Sequence, residues 1–266
     1  DTSAKGALAG LGDLLSAPPP DTPEARNALR GLLPPALTSP LSPNGLLSAL
    51  GSAPSGPGWL YVRERFQAML GNLAPTQNQV NDGETKVRGV VSTLNRAYWN
   101  VASETANAVV FGSWGKWTRV RPPRDIDVMF VLPYGTYTRF EVRSGNRQSQ
   151  LLQEVRTTLL TPYPLTDIRG DRQVVVIPFD TYTVEVAPVF LRQGGGYIGC
   201  DARGSGRYKY VDPVGEIEAL DAVDRQFNGN VRKLTRVLKQ WQRACEVPIA
   251  SFHIEAVVKM LLTTVS

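Results

Sequence analysis

From residue 59 onward the apolar positions fall into helical and strand periods in turn. Apolar residues at 62, 66, 69 and 70 fit one face of a helix over 61–70. Thr76 is placed to cap a longer helix reaching Tyr98, with Val80, Val87, Val90, Val91 and Leu94 along one side. A short apolar strand, Ala108–Phe111, leads into Gly112, and a stronger strand over 125–132 is bounded by Pro122, Pro123 and Pro133. Helical spacing returns over 150–160. Residues 173–178 and 181–190 read as two strands joined by a turn at Phe179 and Asp180, and the glycine-rich stretch 194–206 reads as loop. Two amphipathic helices follow, over 228–244 and 251–262. This order predicts an α+β fold, a small mixed sheet joined to a helical lobe. The last helical pattern runs to the end without a cap, so the natural chain is expected to continue past Ser266.

Residues 1–58 are built differently. They hold 10 of the 20 prolines and no aromatic residue. Alanine, glycine, leucine and serine fill most of the rest, which predicts an arm that is flexible or docks on the body or a partner. The expected division is therefore an arm at 1–58, a core at 59–210 and a helical lobe at 211–266. The arm has three basic and four acidic residues, so the net charge of +5 becomes +6 on residues 59–266. A basic body favours an anionic partner.

The single His253 and two cysteines, Cys200 and Cys245, exclude several chemistries. A zinc site with two imidazoles, a Cys₄ or Cys₂His₂ site and a disulfide framework all lack ligands. His253 reads as structural and both thiols as inert. The longest uncharged apolar run is too short to span a membrane, and no signal peptide opens the chain, so a cytoplasmic protein is expected. Chemistry is left to carboxylates, metal ions and basic side chains.

Asp125 and Asp127 are two apart on the 125–132 strand, so they share a face. Like charges held together repel unless a cation lies between them, and hard oxygen ligands suit Mg²⁺ or Mn²⁺. A strand end with two solvated acids is the plainer alternative. Upstream, Gly112 and Ser113 follow a strand, where glycine admits close approach of a phosphate and serine adds a donor. Gly115 and Lys116 do not make a P-loop, because that motif needs glycine at 110 and Ser or Thr at 117, and the residues are Val110 and Trp117. Glu185 is a lone acid in an apolar strand, facing the same way as Thr183 and Ala187. It is either paired or metal-bound, or it sits in water on an edge strand.

In the 228–244 helix, Val231, Leu234, Val237, Leu238 and Trp241 form an apolar stripe, while Arg232, Arg236, Lys239 and Arg243 share another face. That basic face is either solvated or neutralises a bound anion. Lys116, Arg119, Arg121, Arg124, Arg203, Arg207 and Lys209 could line a nucleotide channel or meet nucleic acid, but no zinc module or recognition helix marks a duplex reader.

Gly-Ser, a spacer, Asp-x-Asp and a later strand-borne acid together resemble the polymerase-β-type nucleotidyltransferase superfamily. The spacer, with Thr118 and Arg121-Pro122-Pro123-Arg124-Asp125-Ile126-Asp127, resembles more closely the bacterial enzymes related to cyclic GMP-AMP synthase, the cGAS/DncV-like nucleotidyltransferases. The likeness covers roughly 60–266 and includes Asn72-Leu73-Ala74-Pro75-Thr76, Leu238-Lys239-Gln240-Trp241 and Ala250-Ser251-Phe252-His253-Ile254-Glu255. Glu185 stands where many relatives carry Asp.

The resemblance implies a polymerase-β-like mixed sheet packed with a helical lobe, with the active site in the cleft between them. It implies two Mg²⁺ (or Mn²⁺) ions about 3.5–4 Å apart, held by Asp125, Asp127 and Glu185 as catalytic residues. Gly112, Ser113, Lys239 and Ser251 would hold the triphosphate, and Phe252 would stack on a nucleobase. Nucleoside triphosphates, ATP among them, would be joined into a cyclic di- or oligonucleotide that activates a separate effector in antiphage signalling. A nucleic acid or protein activator is compatible with this scheme, and no membrane is involved. The rival readings are transfer to RNA, protein or a small molecule, and a nucleotide-binding regulator without turnover.

Overall fold

The structure, a computed structural model, describes residues 57–265. All but the last two residues of the expected arm lie outside them. The described residues form two compact units, divided within the chain at 73/74 and 222/223. The helix α1 (Pro57–Leu73) thus groups with the residues from 223 on, not with the core expected to begin at 59.

The larger unit, 74–222, is built on a seven-stranded sheet. Its first long helix, α2 (Gln77–Leu94), is closed at the start by a capping box, in which the Thr76 hydroxyl accepts from the Gln79 amide and the Gln79 side chain accepts from the Thr76 amide. A π-helical turn at Asn95–Trp99 extends it. The chain then runs through β1 (Ala108–Phe111), a single turn α3 (Gly112–Gly115), β2 (Asp125–Val131), α4 (Tyr134–Glu141) and α5 (Arg147–Leu160). Four more strands follow a short β3 (Arg169–Asp171): β4 (Val174–Pro178), β5 (Thr183–Leu191), β6 (Tyr197–Asp201) and β7 (Arg207–Val211).

The strand order is β1-β2-β5-β4-β3, with β6 and then β7 added beyond the far half of β5. Only β2 and β5 pair in parallel; the other pairs are antiparallel. One face is filled by α2 and α5. Ile126, Val128 and Phe130 of β2 and Val184 and Val186 of β5 pack there with Val90, Leu94, Leu151 and Val155. The other face carries a smaller cluster of Met129, Val131 and Val189. The period of two thus divides β2 between a helix-covered core and the opposite side.

The 194–206 loop expectation is corrected. Tyr197–Asp201 is a strand between β5 and β7, with Gly199 at its centre and the other glycines of the stretch at its ends. Gly194, Gly195 and Gly196 adopt positive φ in one turn, and Gly204 and Gly206 in the next. The helices α4 and α6 (Pro213–Gln226) and the strands β3 and β7 were not anticipated from periodicity.

β6 ends at Asp201, fully buried and held by three cations: Arg203 Nε at 2.9 Å, Arg207 Nε at 3.2 Å and Lys209 Nζ at 2.9 Å. The Arg203 hydrogen bonds, then those of Lys209, hold its carboxyl well below the usual carboxylate range. A depressed carboxyl contributes stability above the unfolded value, about 3.9, and loses it as pH falls below that toward the folded value. Asp201→Asn is therefore expected to lower the melting temperature by several degrees at pH 7, with the gap closing below about pH 4. Melting curves across that range check it; a gap constant with pH would reject the assignment.

The smaller unit contains α1, α7 (Asn230–Ala244) and α8 (Ser251–Val265). Its buried line on α7 is Val231, Thr235 and Lys239, whereas Trp241, expected in the apolar stripe, is half exposed.

Candidate active site

The acids gather on the sheet face opposite α2 and α5. β2 begins at Asp125, so Asp125 and Asp127 project with Met129 and Val131, while Ile126 and Val128 enter the core. The parallel pairing with β5 sets Asp127 against Glu185 and Asp125 against Thr183. Paired strands lie about 4.8 Å apart, so Asp127 and Glu185 are immediate neighbours across the sheet. β1 puts Phe111 beside Asp127 from the other side. Asp125 is exposed, and Asp127 and Glu185 are partly buried. Burial, then the charges of Asp127 and Asp125, raise the Glu185 carboxyl above its ordinary range. Glu185 is thus not an edge acid in water: β5 is an inner strand.

Gly112 turns the chain out of β1 directly against these acids. Its φ is +57°, and a Cβ there would overlap the Asp127 carboxylate and lie 2.8 Å from its Cγ. Only glycine meets both conditions without strain. The turn closes through Lys116 N–H to Gly112 O at 3.0 Å and Thr118 N–H to Ser113 O at 3.0 Å. Trp114 anchors it, buried edge-on against Tyr182 at 5.7 Å and packed against Gly83 of α2. Arg121 Nε donates to Ala74 O at 2.9 Å, tying the spacer to the segment before α2. Gly112, Asp125, Asp127 and Glu185 are therefore brought together in one unit, with Ser113 next to Gly112 in the chain.

Lys239, Ser251 and Phe252 belong to the helical unit. Lys239 is buried, with Nζ 2.7 Å from Glu255 Oε1. Ser251 opens α8 and is exposed. Phe252 is half exposed and lies against His253, with ring centroids 3.8 Å apart. The expected basic face of α7 is partly consumed by ion pairs, since Arg232 meets Asp224 at 2.9 Å. Likewise Arg203, Arg207 and Lys209 converge on Asp201, and Lys116 meets Glu216 at 2.9 Å. Glu255 is the counter-charge that a lysine on the buried line of α7 requires. Burial pushes the Cys200 thiol up to about 12, and Cys245 is an exposed free thiol.

The donor set suits a hard divalent cation: carboxylate oxygens on one face, with burial and then the neighbouring charges raising Glu185. As they stand, no three His, Cys, Asp or Glu side chains among the described residues converge closely enough to hold one, so ligation would require the carboxylates to turn together. No helix among the described residues is long and apolar enough to cross a membrane.

Comparison with known proteins bears on this arrangement. The family model described as Second Messenger Oligonucleotide or Dinucleotide Synthetase domain matches residues 60–224. A probable cyclic nucleotide synthase of Bacillus cereus (strain VD146) is 25% identical over 176 residues, covering 56% of this chain and 53% of the relative. The structure of E. coli MS115-1 CdnC in complex with HORMA-deltaN has a TM-score of 0.56 at 18% identity, over 75% of this chain and 64% of that one. CdnC with ATP, from the same strain, gives 0.55 at 16% identity, over 75% and 65%. The chain spans about half the length of the Bacillus relative and just under two thirds of the E. coli chains. At these identities the structural likeness shows the fold alone, a mixed sheet with flanking helices.

Proposed function

Because the chain belongs to the Second Messenger Oligonucleotide or Dinucleotide Synthetase domain family, we infer that it is a metal-dependent nucleotidyltransferase joining nucleoside triphosphates into a cyclic di- or oligonucleotide. The observation that carries this reading is the parallel register of Asp127 with Glu185, with Asp125 on the same face and the Gly112 turn set against Asp127.

In this scheme Asp125, Asp127 and Glu185 would hold Mg²⁺ or Mn²⁺, two ions by the family resemblance. When bound, the metal supplies Lewis-acid activation of the attacking ribose hydroxyl and neutralises charge on the leaving pyrophosphate. The backbone at Gly112 lets phosphate oxygens approach, and the Ser113 hydroxyl donates to them. Glu185 is assigned to ligate on the nucleophile side and to assist removal of the hydroxyl proton. Lys239 and Ser251 are assigned to the triphosphate and Phe252 to a nucleobase. For Lys239 this means sharing its ammonium between Glu255 and phosphate. ATP as a substrate is supported by the ATP-bound CdnC structure, and a protein partner by the CdnC complex with HORMA-deltaN. Antiphage signalling through a separate effector, in the cytoplasm, completes the proposal.

The test is to incubate the full-length protein with labelled nucleoside triphosphates and Mg²⁺, treat with phosphatase and separate the products. A resistant product, lost on chelation, is expected. Its absence from every triphosphate mixture, phage lysate included, would overturn the reading, and label on RNA, protein or a small molecule would redirect it to another acceptor.

A further inference from the structure

We propose that the larger unit carries a second anion site, a pocket on its helix-covered side that holds the phosphate group of a small phosphorylated molecule. The proposal goes beyond the nucleotidyltransferase reading and does not depend on it.

The pocket, of about 240 Å³, opens between α5, the β3–β4 turn and the end of β6. Its apolar floor is the buried Leu152 of α5, with Ala202 beside it. Gly170 of β3 forms one wall, where a Cβ would lie 3.3 Å from Gln153 Nε2 and 3.6 Å from Leu152 Cβ. Gly170 pairs with Val175, which packs in the helix-covered core, so it looks toward α5 and away from Asp125, Asp127 and Glu185. Ala202 N–H donates to Arg172 O at 2.7 Å and ties two of the walls together.

The side chains around this floor are donors left over. Ser149 is engaged through its backbone, its amide donating to Asn146 Oδ1 at 2.8 Å. Its hydroxyl and the Gln153 carboxamide have no hydrogen-bond partner among the described residues. Arg172 Nε is 3.7 Å from Asp171 Oδ1, beyond hydrogen-bond distance. Arg203 donates through Nε and Nη2 to Asp201 at 2.9 and 3.0 Å, which fixes its plane and leaves Nη1 over. None of the described lining residues is acidic.

Arg172 also sits where arginine is costly. Its φ is +53°, at the first residue of the two-residue loop between Asp171 and Val174, a position that glycine usually fills. The side chain kept there at that cost serves no contact of the core.

Two guanidiniums, a hydroxyl and a carboxamide around one pocket match the oxygens of a phosphate dianion. The volume leaves room for a sugar-sized part over Leu152. It falls below the range of about 300–1,000 Å³ for drug-sized ligands, so an intact cyclic dinucleotide is excluded.

The experiment titrates ribose 5-phosphate, inorganic phosphate and ribose into the full chain by calorimetry, with a chelator and without nucleoside triphosphate. Saturable binding of both phosphates and none of ribose is expected. Tighter binding of the ester assigns a phosphorylated sugar; equal binding assigns free phosphate. Arg172→Gly removes one guanidinium and suits the backbone. Ser149→Glu sets a carboxylate in the pocket, at a helix start that favours acids. Each should weaken phosphate binding about 10- to 100-fold, with the melting temperature of the free protein equal or higher. Asp127→Asn should leave the affinity unchanged. No saturable binding by about 10 mM would overturn the proposal, as would ribose binding as well as its phosphate. Unchanged affinity in both pocket variants would do the same, and loss of binding in Asp127→Asn would move the site to the carboxylate face. With metal and triphosphate absent, none of these outcomes bears on nucleotidyl transfer.

Discussion

Asp127→Asn is expected to abolish product formation while leaving the protein folded. A metal-holding carboxylate carries several kcal/mol of transition-state stabilisation, and each 1.36 kcal/mol is tenfold in rate, so the loss should reach about 10³-fold or more. Asp125→Asn should behave alike, because it shares the face and crowds the same neighbour. Neither change removes a core contact: Asp125 is exposed and Asp127 partly buried. Relief of charge beside Glu185 should leave the melting temperature equal or slightly higher. The check is initial rate from labelled triphosphates alongside a melting curve. A folded Asp127→Asn protein within tenfold of native activity would remove the carboxylates from the mechanism.

The second large effect concerns a residue with no functional group. Gly112→Ala meets two separate penalties, a left-handed backbone and a methyl overlapping the Asp127 carboxylate. The backbone cost is about 1–3 kcal/mol. The steric cost falls on the acid, which must swing away, and misplacement of a reacting group by about 1 Å costs on the order of 10²-fold. Stability and rate should therefore fall together in Gly112→Ala, whereas in Asp127→Asn only rate falls. Gly135→Ala serves as control, since Gly135 lies in α4 and a Cβ there meets nothing within 4 Å. Native-like rate and melting temperature in Gly112→Ala would mean that the turn is not held against Asp127 as described.

The carboxylate face was legible because a strand leaves little choice. Once 125–132 is a strand, Asp125 and Asp127 must share a side, and Glu185 among apolar neighbours signals an inward acid. The pairing that makes them neighbours was not legible. β2 and β5 are separated by α4, α5, β3 and β4, and no local period shows that the chain returns parallel to β2. β6 was hidden because glycines that belong to its two turns dominate the composition of the window. Lys239 fits a basic face with Arg232, Arg236 and Arg243, but Val231, Thr235 and Lys239, each four residues from the next, also fit the buried line it occupies. Helical periodicity gives the sides of a helix but not which side meets a neighbour.

The cluster around Asp201 changes how the basic balance should be counted in solution. Arg203, Arg207 and Lys209 share one interior carboxylate, so the polypeptide has already supplied part of their counterion. When a cation of this kind meets a polyanion, fewer small ions are set free than its formal charge suggests. If a nucleic acid binds this unit through those residues, the logarithm of the binding constant should fall with the logarithm of salt more gently than three independent cations would give. A salt titration would thus report the protein's internal pairing as well as its grip on the ligand.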